Sequence, residues 1–96
     1  MGARTGSAPM SFVLHQNYPN PFNHHTNIRF VLTRPAHSRL DLFDLGDRRV
    51  MTPVAIWLAA GTYEVPVDLS GFASGAYFYR LQSVVSRQTR KLLLIK

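Results

Sequence analysis

Apolar side chains recur at every second position along much of this chain, and this spacing restricts its fold more than any other feature. In Asn27–Thr33, for example, Ile28, Phe30 and Leu32 occupy alternate positions. Successive side chains of a β-strand point to opposite faces, whereas an amphipathic helix needs apolar residues about three to four positions apart. The strands predicted from alternation or from short apolar runs are Phe12–His15, Asn27–Thr33, Arg39–Phe43, Val50–Leu58, Thr62–Leu69, Ala76–Val85 and Thr89–Ile95.

Turn-forming pairs such as Ala60-Gly61 and Ser74-Gly75 separate these strands at short intervals. About seven short strands within 96 residues predict one all-β domain, an immunoglobulin-like antiparallel β-sandwich. We assign residues 11–96 to this domain, and we interpret residues 1–10 as a leader and linker.

The charge of the chain suggests a basic surface without a nucleic-acid site. There are 11 Lys and Arg against 5 Asp and Glu, which gives a net charge of +6. Most of the basic residues are dispersed, so nucleic acid is not predicted as a partner. The absence of cysteine excludes disulfides and thiolate chemistry. No apolar run reaches the roughly 18 residues of a membrane helix, so no membrane insertion is expected.

The segment Gln16–Asn23, here called the arm, follows neither a strand period nor a helix period. Pro19 and Pro21 fix their own φ angles and bias the residues before them towards extended conformations. The rings of Tyr18 and Phe22 are expected to pin the arm to the sandwich, each burying on the order of 150 to 250 Å². The residues alone leave two interpretations open, a structural lead-in that closes the core and a recognition element.

Four motifs follow one another along the chain. They are an opening motif of Leu14, Gln16, Asn17, Tyr18, Pro19, Asn20, Pro21, Phe22 and Asn23; a central turn with Asp44, Gly46 and Arg48; a Ser-Gly strand with Ser74, Gly75, Tyr77, Tyr79 and Leu81; and an ending of Lys91, Leu92, Leu93, Leu94, Ile95 and Lys96. In this order, over residues 12–96, they strongly resemble the type A C-terminal sorting domains of the type IX secretion system, also called Por secretion system sorting domains. Two positions depart from that pattern, because His24 stands where the family often has a proline and Asp47 where it usually has glycine.

The resemblance implies a non-catalytic sorting module without a cofactor, attached to a preceding cargo protein and directing it across the outer membrane. Its implied partners are the type IX translocon and a sortase-like peptidase that removes the domain after export. Cleavage would fall before Leu14, in the linker Ala8–Phe12. The cargo would pass through the periplasm and reach the cell surface or the medium.

One strand is predicted at a sheet edge, and for the last strand the edge position is left open. Pro66 has no N–H for a ladder bond and places Thr62–Leu69 at an edge. The strand that contains Lys91–Lys96 is aliphatic and β-prone, so if it also lies at an edge it could pair with a partner sheet, while Lys91 and Lys96 discourage self-association. The alternative is that Leu92–Ile95 only completes the core, and the sequence does not separate these two hypotheses.

Catalytic and metal sites are not indicated. The histidines His15, His24, His25 and His37 lack a metal-binding spacing and are interpreted as surface residues. Asp41, Asp44 and Asp47 recur every third residue, and ion pairs with Arg39, Arg48 or Arg49 explain them better than a catalytic pair.

A carbohydrate-binding or adhesive sandwich is the main alternative function. It would use Trp57, Tyr63, Tyr77 and Tyr79 as a stacking platform. A passive spacer between the cargo and a surface is a third possibility, and it would need no partner.

Overall fold

The computed structural model describes residues 12–84 and 86–96 and contains seven β-strands in these ranges. The strands are β1 (Phe12–Leu14), β2 (His25–Leu32), β3 (Ala36–Phe43), β4 (Arg49–Leu58), β5 (Gly61–Asp68), β6 (Gly75–Gln82) and β7 (Arg87–Leu94). Within the described residues, no helix is long and apolar enough to cross a membrane.

The strands form two antiparallel sheets, and the predicted β-sandwich is confirmed. One sheet has three strands in the order β1-β2-β5, and the other has four in the order β4-β3-β6-β7. In an immunoglobulin constant-type sandwich the fourth strand belongs to the sheet of the first, second and fifth strands. Here β4 pairs with β3 instead, so both β4 and β5 are edge strands. The prediction that Pro66 marks an edge strand is therefore confirmed.

The core lies between the two sheets, on the face that the alternation predicts. Ile28 and Phe30 of β2 face Leu40 of β3, Tyr79 of β6 and Leu92 of β7, and all five have no exposed surface. Burying one large apolar side chain contributes about 1.5 to 3 kcal/mol. The core therefore draws on both sheets and on the first and last strands of the chain.

Strand bounds differ from the prediction where polar residues interrupt the pattern. The sixth strand ends at Gln82 and not near Val85, which lies outside the described residues. The third strand begins at Ala36, three residues before the predicted start, because Ser38 is tolerated on the buried face. Its hydroxyl donates a hydrogen bond to the Ala36 carbonyl at 3.2 Å, which removes the cost of burying it unpaired.

The sandwich has two distinct ends. At the arm end, His25 pairs with Asp68, and Gly75 pairs with Leu94. At the far end, Phe12 pairs with Leu32, and Gln82 pairs with Arg87. The arm connects β1 to β2 across the arm end, where the turn between β3 and β4 also lies.

Candidate recognition surface

The arm links the two sheets through backbone hydrogen bonds. Tyr18 and Asn27 exchange both of their backbone bonds, at 3.0 and 2.9 Å, which ties the start of the arm to β2. Phe22 then bonds to the end of β7, donating to the Leu93 carbonyl at 3.1 Å and accepting from the Ile95 N–H at 2.8 Å. The peptide bonds that precede Pro19 and Pro21 are both cis.

Asn17 organises the first half of the arm from a position that is 2% exposed. Its amide nitrogen donates to the Pro19 carbonyl at 3.1 Å and to the Thr26 hydroxyl at 3.0 Å. Its amide oxygen accepts from Gln16 Nε2 at 2.6 Å. Thr26 in turn donates to the Pro19 carbonyl at 2.8 Å. Each buried polar atom of this group is thereby satisfied, which fixes the path of the arm.

Tyr79 connects the Ser-Gly strand to the opening motif. Its hydroxyl donates to the His15 carbonyl at 2.7 Å and accepts from the Asn17 N–H at 2.8 Å. Burial of this ring raises the pKa of the Tyr79 phenol to about 12, against a smaller lowering by the Asn17 hydrogen bond. The phenol is therefore neutral at physiological pH, so its hydroxyl can donate to the His15 carbonyl while it accepts from the Asn17 N–H.

The arm covers part of the outer edge of β7. Gln16 Nε2 donates to the Lys91 carbonyl at 2.7 Å, and the Leu93 N–H donates to Asn20 Oδ1 at 3.0 Å. Together with the bonds to Phe22, these contacts occupy outward-facing backbone groups from Lys91 to Ile95. β7 lies at an edge of its sheet, which is the condition that the strand-addition hypothesis requires. Strand addition at this stretch would nevertheless first have to displace the arm.

Side chains of the last strand divide between the core and the surface. Leu92 and Leu94 have no exposed surface, whereas Leu93 is 39% exposed and Ile95 is 51% exposed. The hypothesis that this segment completes the core therefore holds for Leu92 and Leu94, whereas docking by strand addition stays a hypothesis. Alternation makes this possible, because one face of the strand completes the core while the other remains available.

Asp44 closes the central turn. Its carboxylate accepts from the Gly46 N–H at 2.8 Å, from the Arg48 N–H at 3.0 Å and from Arg48 Nε at 3.2 Å. These hydrogen bonds, led by the Arg48 N–H, lower the pKa of the Asp44 carboxyl. Asp47 has φ = 63°, the left-handed conformation that glycine adopts without cost and that Asp tolerates. Asp47 can therefore occupy a position at which the resemblance leads us to expect glycine.

The end of the chain contacts the Ser-Gly motif. The Lys96 N–H donates to the Ser74 hydroxyl at 3.2 Å, and Lys96 Nζ donates to the Ser70 carbonyl at 2.7 Å. Gly75 has φ = 151°, which side chains of L residues rarely adopt. Glycine is thus needed where β6 starts beside the end of β7.

A shallow groove of about 440 Å³ lies at the arm end and is lined by the arm and by the residues that follow β7. Phe22 lines this groove and is only 3% exposed. The groove presents ring, aliphatic, amide and ammonium groups within a small area of the arm end. Its lining residues are Pro19, Pro21, Phe22, Asn23, His25, Ile95 and Lys96.

Several predictions about side chains are decided by these contacts. Phe22 is buried as expected, but the prediction for Tyr18 is wrong, because its ring is 80% exposed. Tyr18 instead holds the arm through its backbone. The predicted pairing is confirmed for two of the three aspartates, by Arg39 Nε–Asp41 Oδ2 at 2.8 Å and by the Arg48–Asp44 contact.

The prediction that the four histidines are surface residues is confirmed, and the stacking platform is not formed. All four histidines are exposed, and the described residues contain no group of three or more His, Cys, Asp or Glu that could hold a metal ion. Tyr77 and Tyr79 are buried in the core, and Tyr63 stacks on Phe30 with the ring centres 5.4 Å apart. Trp57 is 63% exposed on β4, so it has none of the predicted partners beside it.

Sequence reasoning did not identify two residues that attach β7 to β1. Arg90 Nε donates to the Leu14 carbonyl at 2.7 Å, and Gln88 Oε1 accepts from the Leu14 N–H at 3.1 Å. Both residues lie on the face of β7 that also carries Leu92 and Leu94. Their polar side chains at core-facing positions of a strand could have indicated that they bond to buried backbone groups.

Comparison with known protein families shows which family this chain belongs to. The sequence matches the secretion system C-terminal sorting domain family over residues 16–96. The chain belongs to this family. It is therefore a type IX secretion sorting domain, a signal for export towards the cell surface or the extracellular space. No curated protein and no solved structure matches the chain.

Proposed function

We propose that this sorting domain is a folded, non-catalytic export signal whose arm end is the surface that the type IX translocon contacts. The observation that carries the proposal is the convergence of the four motifs. Gln16 and Lys91, 75 positions apart, share a hydrogen bond, and the Tyr79 hydroxyl accepts a hydrogen bond from the Asn17 N–H of the arm. A translocon that binds the arm end would therefore bind the domain only in its folded form.

The position of the first strand supports this orientation. Phe12 pairs with Leu32 at the far end of the sandwich, so a cargo that precedes the domain would be attached on that side. An eight-residue strand such as β2 spans about 25 Å at roughly 3.3 Å per residue. This separation leaves the arm end open to a translocon while cargo occupies the other end.

Removal of the domain after export is part of the proposal. A sortase-like peptidase would cut in the linker Ala8–Phe12, of which the structure describes only Phe12. Transit through the periplasm precedes this step. The far end is accessible to the peptidase even while the arm end is bound.

A reporter fusion tests the proposal. Residues 12–96 are joined to a periplasm-targeted reporter in a bacterium with a type IX system, and delivery to the surface or medium is measured. Deleting 92–96 would remove Leu92 and Leu94 from the core, so the sharper variant deletes only residues 95–96. That deletion removes the Ile95–Phe22 and Lys96–Ser74 hydrogen bonds.

We expect delivery of the intact fusion, loss of delivery when the translocon is disabled, and periplasmic retention of the folded deletion variant. Circular dichroism of the purified variant checks the fold. Retention of the intact, folded fusion would reject autonomous sorting. Equal delivery of the deletion variant would show that the translocon contacts a different surface.

A further inference from the structure

The two outer faces of the sandwich differ in charge. On the three-stranded sheet, Arg29 lies opposite Glu64, and His25 lies 3.5 Å from Asp68. This face holds one permanent cation against two carboxylates. The outer face of the four-stranded sheet, by contrast, carries five cations, which are Arg39, Arg49, Arg80, Arg87 and Lys91.

Only one carboxylate lies among these five cations. Asp41 is 4% exposed and is already bound by Arg39 and by the Thr52 hydroxyl, at 2.8 and 2.6 Å. Five cations against one carboxylate leave a local charge of +4. Most of the net charge of +6 is thus concentrated on one flat face, although the basic residues are dispersed along the sequence.

Apolar side chains are exposed on the same face. Trp57, which pairs with His37 across the sheet, is 63% exposed, and Leu93 is 39% exposed. Phe43 and Phe78 lie between Arg49 and Lys91 in one row across the sheet. The Arg80 guanidinium covers the Phe43 ring at 4.6 Å.

We infer that this outer face, here called the basic face, docks on the headgroups of an anionic lipid bilayer. Lys and Arg near an anionic bilayer contribute by electrostatic attraction, and Trp is favoured at the level of the headgroups. A hydrated soluble polyanion would satisfy the cations equally well but would give Trp57 and Leu93 no apolar environment. The combination of charge and exposed apolar groups therefore favours a bilayer surface.

This docking is peripheral and separate from translocon recognition. The basic face lies along the length of the four-stranded sheet, whereas the groove beside the arm lies at one end. A domain held flat on a membrane by this face would keep its arm end accessible at the side. The inference does not depend on the proposed function, and its test requires no export.

Trp57 provides a direct readout, because it is the only tryptophan of the chain. The purified 96-residue protein is titrated with vesicles of phosphatidylglycerol and phosphatidylcholine, and with vesicles of phosphatidylcholine alone. We expect a blue shift of the tryptophan fluorescence and co-sedimentation with the anionic vesicles only. Added salt should reverse both effects.

A matched pair of double variants locates the surface. R87Q with K91Q removes two cations from the basic face, and R29Q with R34Q removes two cations elsewhere. Each cation lost from the face should weaken vesicle partitioning about fivefold, so the first variant should bind about 25-fold more weakly. The control variant, with the same net charge, should bind as the wild type does.

Three results would overturn the inference. These are no binding to anionic vesicles at low ionic strength, equal weakening by both double variants, and binding to a soluble anionic polysaccharide such as polygalacturonate without binding to vesicles. The last result would assign the basic face to a sugar polyanion.

Discussion

At the scale of single residues, the opening motif depends on polar side chains that satisfy buried backbone groups. Tyr79 and Asn17 are the central pair, since the Tyr79 hydroxyl accepts from the Asn17 N–H and donates to the His15 carbonyl. The Asn17 side-chain amide then donates hydrogen bonds to the Pro19 carbonyl and the Thr26 hydroxyl. Residues that are neighbours in the opening motif are thus joined in one hydrogen-bond network.

Replacing Tyr79 with phenylalanine tests this network. Tyr79→Phe leaves the buried Asn17 N–H unpaired, and we expect the free energy of unfolding to fall by about 1 to 3 kcal/mol. The control is Tyr63→Phe, whose hydroxyl donates to the Ala59 carbonyl at an exposed site and should cost less than about 1 kcal/mol. Urea denaturation measures both, and equal losses would contradict the role assigned to Tyr79.

The raised pKa of Tyr79 adds a pH dependence to the same comparison. Because the folded-state pKa of about 12 exceeds the ordinary value of 10.0, its stabilising contribution is complete below pH 10 and is lost as the pH rises through 12. The free energy of unfolding of the wild type should therefore fall between about pH 10 and pH 12 by an amount that the Tyr79→Phe variant does not lose.

At the scale of elements, the arm behaves as an additional strand that joins the sheets. Phe22 forms an isolated parallel bridge with Leu94, and Tyr18 forms an antiparallel bridge with Asn27. The two aromatic rings of the arm nevertheless have opposite environments, since Phe22 is 3% exposed and Tyr18 is 80% exposed. The arm is therefore anchored by one ring and by backbone hydrogen bonds.

This difference predicts unequal effects of two similar substitutions. Phe22→Ala should lower the free energy of unfolding by about 3 to 5 kcal/mol, because it leaves a cavity in the core. Tyr18→Ala should change it by no more than about 0.5 kcal/mol. Equilibrium unfolding monitored by circular dichroism checks both, and a large loss from Tyr18→Ala would mean that its ring is buried.

The strands with clean alternation were predictable from the sequence, and the contacts of the arm were not. Within their observed bounds β2, β5 and β6 alternate, so their buried faces follow from local pattern. Their ends follow less well, since the predicted second strand began at Asn27 and the predicted sixth strand continued to Val85. The start of β3 was missed because Ser38 interrupts the pattern on a buried face, and Tyr18 was misassigned because an aromatic ring was assumed to need burial. Contacts such as Gln16–Lys91 join residues 75 positions apart, and no local spacing specifies them.

At the scale of the whole molecule, three regions of the sandwich differ in what they present to a partner. The far end connects to the preceding chain at Phe12, and the arm end gathers motifs from the beginning, middle and end of the domain. One face of the four-stranded sheet concentrates positive charge. We propose that export depends on the exposed surface of the arm end and not merely on a folded sandwich.

The most direct test compares export of two surface variants with matched chemistry. One fusion carries Tyr18→Ser with Ile95→Ser at the arm end, where these side chains are 80% and 51% exposed. The other carries Val84→Ser with Ile56→Ser towards the far end, where they are 87% and 56% exposed. Our account predicts that the first fusion, although folded, stays in the periplasm while the second is delivered normally. Normal delivery of the first fusion, or equal loss of both, would contradict it.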